Sequence, residues 1–172
     1  KNENAYATIK WAAENDKFYR LRDVAIYDLY TMAKEKEAEL KPLMIKIYEN
    51  DAKTTTRANA LEYLNKYYEN SPELPALNEK ALKESSYAIC TEALNYYIKK
   101  DPKDAMIKAK AFEKDAGKAI LSTLANLYGN HGSDLDIAFF TNNVKNFGGF
   151  ELVSFLSNYI KLAKRCETSA PA

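Results

Sequence analysis

The sole histidine of the chain, His131, stands in the segment Tyr128-Gly129-Asn130-His131-Gly132. A zinc hydrolase gathers several nitrogen or carboxylate ligands, typically on an H-E-x-x-H helix, and one histidine cannot supply such a set. A turn histidine beside two glycines reads as solvated. A Ser-His-Asp triad would need the same residue, and no serine sits in a G-x-S-x-G elbow. Two carboxylates suffice for glycoside hydrolysis. The nearest grouping is Glu35, Glu37 and Glu39, in the run Lys34 to Lys41, whose alternating signs read as a solvated helix end. Gly148-Gly149 is too short for a phosphate loop and lacks a following Lys-Ser/Thr. Cys90 and Cys166 stand far apart and form no redox or metal motif; Cys90 reads as a small core residue. These residues predict no catalytic site and no metal site within the chain.

Tyrosine is what remains, with 13 in the chain. Tyr63, Tyr67 and Tyr68 share one segment, Tyr96 and Tyr97 occupy the matching region of the next, and Tyr27, Tyr30 and Tyr128 extend the theme. Two readings stand side by side. The rings can fill wide spaces between helices with their hydroxyls reaching water. Alternatively, Tyr63, Tyr67, Tyr96 and Tyr97 form a peptide-contacting surface, since tyrosine is favoured at interfaces.

The elements that position these residues are helices throughout. Apolar residues recur at helical spacing and no segment alternates as a strand does. The spacing predicts helices over about 5–14, 19–33, 39–48, 55–68, 75–82, 86–99, 102–112, 118–128, 133–144 and 150–164. Leu21, Ala25, Ile26 and Leu29 form the inward face of the second. A threonine run should cap the fourth, Asp101 should cap the helix that opens on Pro102, and Gly129 should stop the eighth. Residues 1–166 are expected to form one helical repeat domain, and 167–172 a flexible tail.

Composition narrows the function class. With 25 Lys+Arg against 24 Asp+Glu there is no net field to draw nucleic acid, and no basic cluster interleaves with aromatics. No apolar run approaches the roughly 20 residues that span a bilayer, so no membrane span is expected. The chain opens on Lys1 rather than Met, which reads as a processed product or a fragment with machinery encoded upstream. Both an exported or periplasmic and a cytoplasmic location stay open.

The helices repeat as pairs. Asp16, Arg22, Ala25 and Leu29 recur as Asp51, Arg57, Ala60 and Leu64, each 35 residues later. Ser85, Thr91, Ala93 and Tyr97 keep the layout loosely, and a fourth copy around Asp115 and Ala125 is fainter. Paired helices at this period are the signature of an α-solenoid. The Asp-Arg-Ala pattern resembles the HEAT repeat, in which an Asp in the turn is followed by an Arg and then a small residue. The resemblance implies an Asp–Arg ladder along the stack, with alanine allowing close helix approach.

A second resemblance covers most of the chain. Ala125-Asn126-Leu127-Tyr128, a glycine turn, Asp134, the Phe139-Phe140 helix and Gly148-Gly149-Phe150-Glu151 are similar to the C-terminal helical-repeat region of bacterial zinc aminopeptidases of the aminopeptidase N family. That family carries an upstream catalytic domain with H-E-x-x-H, a further zinc-binding Glu and G-A-M-E-N. This sequence has none of the three, so no catalytic or zinc-binding residue carries over. The resemblance implies a non-catalytic domain packed on the catalytic domain of the same polypeptide, limiting access of peptide substrates, with zinc held only in that upstream domain. The alternative is a stand-alone repeat scaffold that binds another protein.

Overall fold

The computed structural model describes residues 3–114 and 117–169, with side chains through 166. Ten α-helices and no strands occur among the described residues. They are α1 (Glu3–Asn15), α2 (Tyr19–Asp28), α3 (Glu37–Asn50), α4 (Thr54–Tyr67), α5 (Leu74–Ala81), α6 (Tyr87–Lys100), α7 (Pro102–Ala109), α8 (Lys118–His131), α9 (Ile137–Asn143) and α10 (Gly149–Ser169). Single 3-10 turns continue α2 over Leu29–Met32 and α7 over Lys110–Phe112, and flank α9 on both sides. No helix among the described residues is long and apolar enough to cross a membrane. The chain divides into two compact units, Lys1–Ala93 and Leu94–Ala172, and the boundary falls within α6. Because α10 runs to Ser169, the segment expected as a tail begins as helix; residues 170–172 and Asp115 lie outside the described residues.

In the first unit α1 packs on α2, α3 on α4, and α2 on α4. Leu40, Leu43, Met44 and Ile47 of α3 and Ala60, Leu61 and Leu64 of α4 are all buried. Burying a side chain of leucine size contributes roughly 1.5–3 kcal/mol, so this face drives the packing. The matched small residues Ala25 and Ala60 are buried as well. Leu21 departs from expectation: α2 turns it outward, 50% exposed, and places Arg22 among the buried residues instead. The threonine cap also fails to form. Thr54, Thr55 and Thr56 lie inside the first turn of α4, Lys53 is the N-cap without a side-chain bond, and the buried Thr56 hydroxyl has no partner. The Asp101 cap does form, its carboxylate accepting from the Lys103 and Asp104 amides ahead of Pro102.

In the second unit α8 packs against α7 and α10, and α10 against α9. Its core is aromatic: Phe139 lies edge-on to Tyr128 with ring centroids 4.9 Å apart, and Phe147 stacks on Phe155 at 4.3 Å. Gly129 does not end α8, which continues to His131. A Cβ at Gly129 would lie 2.9 Å from the carbonyl oxygen of Asn158, so the glycine allows α10 to approach. Arg165 of α10 donates to the carbonyls of Tyr128, Gly129 and Gly132, tying α10 to the end of α8, where the Tyr128 carbonyl also accepts from the Gly132 amide. At the Gly148-Gly149 break, Gly149 has φ +54, a conformation that favours glycine.

Candidate interaction surface

The repeat residues come together as an ion-pair chain in the first unit. In the link between α1 and α2, the Asp16 carboxylate accepts from the Phe18 amide at 2.8 Å. Asp51 repeats this with Lys53 at 2.8 Å between α3 and α4. Both aspartates therefore brace the link rather than cap the helix itself. Arg22 then reaches forward to the next copy: its Nε and Nη2 donate to the two oxygens of Asp51, each at 2.7 Å, while Nη1 donates to the Asp16 carbonyl. The hydrogen bonds from Arg22 to Asp51 hold its guanidinium above its ordinary pKa. Arg57 continues the chain, donating to the Tyr48 carbonyl and, at 2.5 Å, to Glu84. Aligning the third copy on Ser85 passes over this acid, which stands one residue earlier; its signal in the sequence is only its place in the link before α6.

The tyrosines divide by depth. Tyr63 is fully buried and donates to the Leu29 carbonyl at 3.1 Å, and Tyr68 donates to the Ala33 carbonyl at 2.9 Å. Together they tie α4 and its end to the 3-10 turn after α2. Tyr63 therefore supports the surface from below and is not itself available to a partner. Above it, Tyr30 meets Tyr63 and Tyr67 with ring centroids 5.1 Å apart in both cases, and Tyr27 lies 5.0 Å from Tyr30. Lys66 stands 4.9 Å from the Tyr30 centroid and 5.3 Å from that of Tyr67, a cation–π arrangement. In the second unit Tyr96 and Tyr97 meet edge-on at 5.2 Å, and Lys108 lies 4.6 Å from the Tyr97 centroid.

Two hollows flank the first-unit cluster. One, of about 510 Å³, is lined by Tyr67 and Tyr68 with Lys34, Lys41 and Lys66 against Glu37 and Glu69, so its charges are mixed. The other, of about 270 Å³, lies between α2 and α4, walled by Asp23, Val24, Tyr27, Tyr30, Asn59 and Glu62. Burial first, and then the neighbouring Glu62 charge, push the Tyr30 phenol well above its ordinary range. In the first helix pair and its link, Trp11, Phe18, Leu21, Val24 and Tyr27 are at least half exposed, and Val24 and Tyr27 wall the second hollow. Tyr67 and Tyr30 stand out in the sequence as part of the tyrosine excess, whereas Asp23 and Glu62 do not. Asp23, Tyr27 and Tyr30 stand at i, i+4 and i+7, the spacing of one helix face, which was the available signal.

Elsewhere the candidates stay apart. His131 is exposed at the end of α8, and Glu35, Glu37 and Glu39 are exposed before and within α3. Glu39 accepts from Lys10 at 2.6 Å and from the Tyr6 hydroxyl, and the Lys10 bond holds its carboxyl below the usual range. Among the described residues no group of three His, Cys, Asp or Glu side chains is placed to hold a metal ion. Compared with known proteins, the chain matches no family model, no curated protein and no solved structure.

Proposed function

We propose that this chain is a non-catalytic helical-repeat domain, an α-solenoid of paired helices, that works by binding protein. The observation that carries the reading is the exposed apolar surface of the first helix pair. Leu21, Val24 and Tyr27 follow one another on α2 at 50%, 55% and 68% exposure, next to the tyrosine cluster. Contiguous exposed apolar side chains mark interaction surfaces, and a repeat with an uncovered face stacks against a neighbour. The resemblance to the aminopeptidase N family makes that neighbour the zinc-binding catalytic domain of the same polypeptide, with this domain restricting access to the active site. The second reading, a stand-alone adaptor, is favoured by the exposed polar residues Asn4, Thr8 and Asn15 on α1.

A photo-crosslinking amino acid at Val24, introduced in the native host, tests the reading. Crosslinks should enter a zinc peptidase domain of the same polypeptide. Crosslinks to a separate protein would replace the cis reading with the adaptor, and no crosslink would overturn protein binding through this face. The purified chain given zinc and an aminoacyl reporter substrate should show no turnover; turnover would overturn the non-catalytic reading.

A further inference from the structure

The hollow between α2 and α4 has a composition that the proposed function does not use. Its walls pair two carboxylates, Asp23 and Glu62, with the rings of Tyr27 and Tyr30, and no Lys or Arg is among them. The cations beside the hollow do not line it, although one of them faces the Tyr30 ring. Arg22 is held by both oxygens of Asp51, and Lys66 lies over Tyr30 and Tyr67 and lines the neighbouring hollow. The Glu92 charge also acts on Tyr30, which adds a third acid to the surroundings. One oxygen of Asp23 is buried without any hydrogen-bond donor. Buried acceptors are nearly always partnered, so this orphan oxygen favours a rotation of the Asp23 carboxylate that brings it to a donor in the hollow.

We infer that this hollow receives a basic side chain, lysine or arginine, from the partner protein. The assignment rests on the protein-binding reading and names the chemistry of what is bound. At about 270 Å³ the hollow is smaller than the roughly 300–1,000 Å³ of small-molecule sites and suits a single side chain. Tyr30 already faces Lys66, so the exposed Tyr27 ring is the one that attracts an incoming cation, and the apolar walls given by Val24 and the rings accept the methylene stem of a long basic side chain. Glu62 and Asp23 supply the opposite charge at the tip, Asp23 by turning its carboxylate toward the incoming donor. A neutral chain of the same length gains only the apolar contacts.

Amide NMR of the whole chain, titrated with the peptides acetyl-Ala-Lys-Ala-amide and acetyl-Ala-Arg-Ala-amide, tests this. Acetylation removes the α-amine, so the side chain is the only cation offered. The norleucine and glutamate versions serve as controls. Both basic peptides should shift the amides of Val24, Tyr27, Asn59 and Glu62 saturably, and norleucine should bind about fivefold more weakly or worse. Glu62→Gln and Tyr27→Ala should each weaken the basic peptides by about threefold to tenfold, with Tyr27→Ala also lowering the melting temperature slightly through the lost ring contact with Tyr30. Equal binding of lysine and norleucine peptides, no saturable shift, or full binding by Glu62→Gln would each overturn the assignment. Those results leave protein binding through α2 intact, whereas a failure of the Val24 crosslink removes the protein-binding reading whatever the peptides do.

Discussion

Removing the Arg22 charge should cost the first unit much of its stability, and the structure indicates how much. The Arg22 and Asp51 side chains are 11% and 8% exposed, so little water screens them. Arg22→Met keeps most of the stem but leaves Asp51 with a single donor, the Lys53 amide. Breaking a buried pair from one side costs about 3–5 kcal/mol, and the remaining exposure places this one near 3 kcal/mol. For a chain of this length that lowers the melting temperature by roughly 6–12 °C. Asp51→Asn keeps an oxygen for the Lys53 amide and loses the charged bonds, at about 2 kcal/mol. The double variant should cost about 3 kcal/mol rather than the sum, because the second change removes a charge already stranded by the first. Urea unfolding followed by circular dichroism on the four proteins measures the cycle. A loss below about 0.5 kcal/mol for Arg22→Met, the value of a surface pair, would refute the reasoning, as would additivity in the double variant.

Three further outcomes follow from particular contacts. Gly129→Ala gains up to about 1 kcal/mol of helix propensity, yet its Cβ would press on the backbone of Asn158 at 2.9 Å. A net loss of about 1–2 kcal/mol is expected, and a stabilised variant in thermal unfolding would mean that α10 gives way freely. Alkaline pH should weaken the fold. Burial, followed by the Glu39 charge, pushes the Tyr6 phenol up to about 12, and burial raises Tyr48, Tyr63 and Tyr128 still further. An unfolded phenol titrates near 10, so the native chain holds these protons more tightly. Their contribution is complete below about pH 10 and is lost as pH rises toward the folded values. Denaturant midpoints that stay constant from pH 9 to 11.5 would contradict this. Finally, Cys90 is buried and its thiol is pushed up by that burial; the Cys166 thiol is pushed up too, first by its hydrogen bond with Asp134, but it is partly accessible. A thiol reagent should label Cys166 in the native protein and reach Cys90 only on unfolding, and rapid labelling of both would show that α6 opens readily.

The helices were legible because each depends on local chemistry. The 3.6-residue spacing of Leu40, Leu43, Met44 and Ile47 needs no partner to be read, and Asp101 before Pro102 satisfies its own helix start. The 35-residue recurrence of Asp, Arg and Ala was legible for the same reason, since it is a pattern along the chain. What escaped was whatever a second segment decides. Gly129 reads as a helix stop until α10 comes close enough to require the missing Cβ. Leu21 and Arg22 are adjacent, and which of them turns inward follows from Asp51, 29 residues from Arg22, offering both oxygens to the guanidinium. Tyr63 and Tyr67 are alike in the sequence, but one turn of α4 buries the first under Tyr30 and leaves the second at the surface.

The candidate surface shows the same division. Its tyrosines were visible as a compositional excess, but Asp23 and Glu62 joined them only when α2 packed on α4. By itself the sequence determined the helical class and carried the 35-residue recurrence of Asp, Arg and Ala, since these follow from spacing along the chain. Only the tertiary structure decided the arginine–aspartate chain, the depth of each tyrosine and the acidic, aromatic hollow. Each of these depends on bringing distant backbone segments within a few ångströms, and the rotation of every helix about its axis is set by the neighbour against which it packs.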